Sequence, residues 1–235
     1  IRAAEDFRKE SPNTYYLADT YQLQFDAYRA KNPPDLRKMD RTVQNFSRAA
    51  DTKNSEWKKS AGIMKASLFE FEKKWDQALN LYRNSSYQND LVVGVKSKLG
   101  ELRCLSNLRK WSPLKSKATA ILRDAKKNTL DENLLMGAHV AMGDVELSNG
   151  KLKEAIYNYL RAALQSHTSG DPSREHETAL GKASIASSRY ASSLQDKEKK
   201  AEYRRVAGEL LSELSRSYPG SPMFPLAQNE FQRIR

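Results

Sequence analysis

Residues 136–166 read MGAHVAMGDVELSNGKLKEAIYNYLRAALQS, and this stretch decides the fold. Apolar residues recur at three- and four-residue steps on either side of one polar break, the pattern of two amphipathic helices folded back on each other. Small residues stand where the helices must touch, at Gly143, Ala155 and Ala162, and Met142, Val145, Leu147, Leu152, Ile156, Tyr159 and Leu160 fill around them. The hinge is Ser148-Asn149-Gly150-Lys151. Gly150 suits the left-handed residue that closes a helix, and Glu154 lies in the first turn of the next, where the dipole favours an acid.

Outward from this unit the layout repeats. Upstream, Ser11 as N-cap and Pro12 at the first helical position open a helix carrying Tyr15, Tyr16, Leu17, Tyr21, Leu23, Phe25 and Tyr28. Asn32-Pro33-Pro34-Asp35 stops it, and Leu36, Met39, Val43, Phe46 and Ala50 mark the buried face of its partner. Trp57 to Phe71 forms the next helix. A turn at Lys73-Lys74-Trp75-Asp76 then sends Ala78, Leu79, Leu81 and Tyr82 back against it. Ser85 to Asn89 reads as a loop, Leu91 to Leu108 as a helix with a buried first turn, and Ser112-Pro113 as the start of another. Downstream, Asp171 as N-cap and Pro172 begin a pair of long helices, about Ser173 to Leu194 and Lys197 to Tyr218. Phe224, Leu226, Phe231 and Ile234 make a short terminal helix that covers the last apolar surface.

With the small residue of each first helix in register, Ala66, Gly100, Gly143 and Gly181 follow at spacings of 34, 43 and 38 residues, the range of two-helix repeats. Ala78 and Ala155 stand twelve positions after Ala66 and Gly143, and Tyr82 and Tyr159 four beyond that. Met142-Gly143, Leu152 and Ala155, with Leu99-Gly100 in the copy before, resemble the tetratricopeptide repeat family in a degenerate, bacterial-type form. The resemblance implies an all-α fold: a right-handed α-solenoid of about five antiparallel helix pairs with a short C-terminal capping helix. It would be one domain, with a divergent hairpin over 1–52, repeats over 53–218 and a cap over 219–235. In that family, first helices line a concave groove that holds a peptide or partner helix. Carried over, the groove positions are Ser60, Ile63, Ser67 and Phe71; Ser97, Glu101 and Cys104; Val140, Asp144 and Leu147; Thr178, Lys182 and Ile185. The subfamily that grips chaperone C-termini uses Lys, Asn and Arg at such positions; Glu101 and Asp144 depart from it.

Composition narrows the function further. Nothing in the chain offers the 18 or more consecutive apolar residues of a membrane span. The one cysteine, Cys104, makes no internal disulfide and reads as a small buried residue. The first residue is Ile1, not Met, so a cleaved or trimmed upstream segment is expected, and the compartment stays open between cytoplasmic and exported. No cluster of a nucleophile with a base is found, and no cofactor is called for. His176-Glu177-Thr178-Ala179-Leu180 begins like a zinc-protease helix, but Leu180 replaces the second His, which leaves a surface helix. His139 falls at a core-facing position. The expectation is a non-enzymatic protein-interaction scaffold. The alternative is a binder of an anionic polymer or surface (nucleic acid, acidic lipid or cell-wall polymer), drawn by the net charge of +11. It would use Lys53, Lys58 and Lys59, or Lys197, Lys200 and Arg204 on one helix face.

Overall fold

The computed structural model describes residues 2–10, 16–29, 31, 34–51, 55–90, 93–125, 131–164 and 173–234. Among the described residues there are thirteen helices and no strand, so the fold is all-α. The chain falls into two compact units, Ile1–Leu108 and Arg109–Arg235.

In the first unit, α1 (Arg2–Glu10) packs on α2 (Leu17–Arg29), α2 on α3 (Leu36–Asp51), α3 on α4 (Ser55–Phe71) and α4 on α5 (Trp75–Tyr82). The short α6 (Ser85–Gln88) and α5 both lie against α7 (Gly94–Asn107). Helices that are not neighbours along the chain also touch, α2 with α4 and α4 with α7. Phe25, Met39, Val43, Phe46, Met64 and Leu68 form the core, with the Tyr21 ring stacked 5.0 Å from that of Phe46.

The second unit is built the same way. Helix α8 (Trp111–Ala125) packs on α9 (Glu132–Ser148), α9 on α10 (Leu152–Ala163), α10 on α11 (Arg174–Ser193), and α11 on α12 (Lys197–Ser217). Helix α9 also touches α11, and α13 (Met223–Gln232) lies on α11 and α12. One cluster joins Met136, Ile156, Tyr159, Ala179 and Ala183, and another joins Leu180, Leu214 and Ala227 beneath α13. The terminal helix therefore covers apolar surface, through Met223, Phe224 and Ala227; Leu226, expected to share in this, is 55% exposed, and Ile234 lies beyond the helix.

Several boundaries differ from the sequence reading. Helix α1 was not foreseen; it buries none of its residues, so it carries no apolar stripe to read. The loop expected over Ser85 to Asn89 contains α6, whose first turn is held by the Asn84 side chain accepting from the Ser86 backbone N–H at 3.0 Å. Helix α8 starts at Trp111, ahead of Ser112, which places Pro113 within a first turn whose N–H groups need no helical acceptor. Helix α11 is capped by Ser173, which accepts from the His176 N–H at 3.1 Å; Asp171 and Pro172 lie outside the described residues, as do the expected helix start at Ser11-Pro12 and Leu91-Val92.

Three turns share one geometry. Lys73, Arg109 and Gly150 all have positive φ (58°, 54° and 75°), and each stands two residues before the helix that follows, at Trp75, Trp111 and Leu152.

Candidate partner-binding face

The positions expected to bind lie on α4 and α7 in the first unit and on α9 and α11 in the second. In the first unit α4 and α7 are organised by Tyr82 of α5, which is fully buried. A Cβ at Gly100 would overlap its ring, so the glycine of α7 is the seat on which this tyrosine rests. Its hydroxyl lies 3.2 Å from Ser67 Oγ, and its backbone carbonyl accepts from Ser97 Oγ at 2.6 Å and Gln88 Nε2 at 2.8 Å. Ser97 is therefore wholly internal. Glu101 accepts from Arg83 Nε at 3.0 Å and Gln88 Nε2 at 3.1 Å. Ile63 and Cys104 are buried, Phe71 is half-buried on the core, and Ser60 is half-buried.

A second buried acid was not singled out in the sequence. Glu70 of α4 has a side chain only 1% exposed, and Arg103 of α7 donates to it as a fork, from Nη2 at 2.9 Å and Nε at 3.1 Å. Burial, and then the charge of Glu70, push the Tyr82 phenol well above its ordinary range.

The second unit repeats the theme with different residues. A Cβ at Gly143 would overlap the ring of the buried Tyr159, and the Tyr159 hydroxyl donates to Asp144 Oδ1 at 2.7 Å. Lys182 of α11 donates to both oxygens of the same carboxylate, at 2.6 and 2.7 Å. Two expected groove positions thus bind each other. Burial first, and Asp144 second, raise the Tyr159 phenol far above its ordinary range. Val140 is buried, Leu147 and Ile185 are half-buried against the neighbouring clusters, and Thr178 is half-buried. Gly181 is the seat for α13, because a Cβ there would come within 2.7 Å of Met223 Cβ.

Ser67 and Asp144 both directly follow the register residue of their helix, Ala66 and Gly143, and both meet the tyrosine sixteen positions after it. That phase was readable in the sequence; its use for holding a hydroxyl was not. Glu70 and Arg103 carried no such mark, since charged residues at helical spacing ordinarily face water.

His176 is buried, contrary to the surface helix expected around it. Its Nε2 lies 2.9 Å from the Ala163 carbonyl, which only accepts, so that nitrogen carries a hydrogen. Its Nδ1 lies 2.7 Å from the Tyr218 hydroxyl, which donates to it when the ring is neutral. His139 is half-buried with Nδ1 unpartnered, and burial lowers its pKa. Among the described residues no three His, Cys, Asp or Glu side chains are grouped to hold a metal ion, and no helix is long and apolar enough to cross a membrane.

The strongest polar groups of this face are consumed within the fold. What it leaves partly accessible is a set of apolar and hydroxyl side chains, Ser60, Phe71, Leu147, Thr178 and Ile185, on helices fixed by buried pairs. Compared with known families and curated proteins, the chain matches no family model and no curated protein.

Proposed function

We propose that the chain is a tetratricopeptide-type α-solenoid acting as a non-enzymatic scaffold, with a peptide or an amphipathic partner helix held on its first helices. The observation that carries this reading is the contact between helices that are not neighbours along the chain, α4 with α7 and α9 with α11, each pair tied by a cation on a buried acid, Arg103 on Glu70 and Lys182 on Asp144. Stacking of first helices, α4 on α7 in the first unit and α9 on α11 in the second, would give each unit a face suited to an extended ligand.

A site-specific photo-crosslinker tests it, placed in turn at Ser60 and Thr178 on the first helices and at Asn80 and Tyr157 on the second. Partner cross-links formed from Ser60 and Thr178 are expected. Cross-links formed only from Asn80 and Tyr157 would overturn the assignment. The rival reading, an anionic polymer or surface gripped by basic stretches, is weakened at Lys58 and Lys59, which lie 3.7 Å from Asp51 and 2.5 Å from Asp90; along the row Lys197, Lys200 and Arg204, Glu198 and Glu202 stand between the cations in the sequence. Polymer binding whose logarithmic affinity falls steeply with log salt would restore it.

A further inference from the structure

We propose that the cleft between α1, α2 and α3 is a binding site for a compact polyvalent anion, of the class that carries two or more phosphate groups. The cleft has a volume of about 770 Å³, within the range of about 300–1,000 Å³ usual for small-molecule sites. Five cationic side chains line it, Arg2, Arg8 and Lys9 from α1 and Lys38 and Arg41 from α3. The one acid among the lining residues, Glu5, is already engaged, accepting from Gln24 Nε2 at 2.7 Å.

The cations divide into two roles. Arg8 is structural: it donates to the Thr20 carbonyl at 3.2 Å and to Gln24 Oε1 at 2.6 Å, and its guanidinium lies 4.4 Å from the centre of the Tyr21 ring. It fixes α1 against α2 and so holds the cleft in shape. Arg2 and Arg41, both exposed, have no hydrogen bond or ion pair among the described residues. Lys9 Nζ lies 3.9 Å from Asp6, and Lys38 Nζ lies 3.7 Å from Asp35 and 5.6 Å from the centre of the Tyr28 ring.

Lys38 and Arg41 are three apart on α3, and Arg2 and Lys9 seven apart on α1, so each wall presents its charges on one helix face. Like charges gathered in this way repel, and an anion that reaches both walls relieves the repulsion. A single carboxylate reaches one wall. A chain of phosphates accepts from both, with the guanidinium forks of Arg2 and Arg41 matching phosphate oxygens pairwise. The cleft is separate from the proposed partner face and does not depend on it.

The test is titration calorimetry of the full chain with inorganic tripolyphosphate at low and at near-physiological salt. One saturable site is expected. Arg2→Glu with Arg41→Glu should weaken it by more than about tenfold, at about 1.4 kcal/mol per tenfold, and Arg41→Ala alone should weaken it less. Lys199→Glu with Arg205→Glu, the same change in charge placed on α12, should leave it unchanged, and circular dichroism verifies that each variant is folded. Absence of a saturable site, or equal loss in the α12 variant, would overturn the proposal. Vesicles bearing a bisphosphorylated inositol headgroup distinguish the source: capture that tripolyphosphate competes away assigns a lipid headgroup, and no capture assigns a soluble phosphate.

Discussion

At the scale of the residue, the chain spends its buried polar groups on joining helices. Asp144 is the clearest case, with a side chain 8% exposed and bonded to both Lys182 and Tyr159. Lys182→Met removes its counter-charge; the expected loss is about 2 kcal/mol, less than for a fully buried pair because Lys182 keeps part of its hydration. Chemical denaturation should find much of that loss restored when Asp144→Asn is added, since no charge is then left unmatched. A second expectation concerns alkaline pH. Folding raises the Tyr159 phenol pKa well beyond its ordinary value and pushes that of Tyr218 up to about 12, chiefly through burial. Above pH about 10 the unfolded chain loses these protons and the folded chain keeps them, so the folded state binds more protons and stability falls as pH rises. Between pH about 10 and 12 the decline measured by denaturant midpoints should be shallower for Tyr159→Phe and for Tyr218→Phe than for the parent protein.

At the scale of the element, turn chemistry shows what a sequence reveals and what it hides. Gly150 was legible because glycine advertises a left-handed conformation; Lys73 and Arg109 adopt the same conformation without a residue that announces it. The hairpin over 136–166 could be read from its small residues, and Gly143 and Gly100 do receive tyrosine rings. Helix α1 could not, because nothing on it is buried, and the cleft it helps to form was invisible for the same reason. The expected groove positions were placed correctly on helices, but periodicity alone could not separate a polar side chain facing solvent from one bonded to its neighbour. Ser97 and Asp144 proved to be of the second kind. Two measurements follow from the turns and the cap. Gly150→Ala should cost about 1 kcal/mol and Lys73→Gly should stabilise by a few tenths to about 1 kcal/mol, both read as shifts in Tm. Removal of residues 219–235 uncovers Leu180 and Leu214 and should lower Tm by several degrees, with faster amide exchange along α11.

At the scale of the whole molecule, each compact unit has its own apolar clusters. A fragment spanning residues 109–235 is therefore expected to be helical and to melt cooperatively by circular dichroism, as stacked repeats that hold themselves through neighbour contacts do. A non-cooperative melt would show that its core needs the first 108 residues. Two of the buried carboxylates, Glu70 and Asp144, have a consequence for how such a chain can change. Glu70 is matched by an arginine three residues past Gly100, and Asp144 by a lysine directly after Gly181. The helices are thus not interchangeable: α7 set in the place of α11, or α4 in that of α9, would bring a buried acid opposite the wrong partner. Each acid and its cation make an unlike lock and key, so one helix of either pair can be exchanged only together with its match.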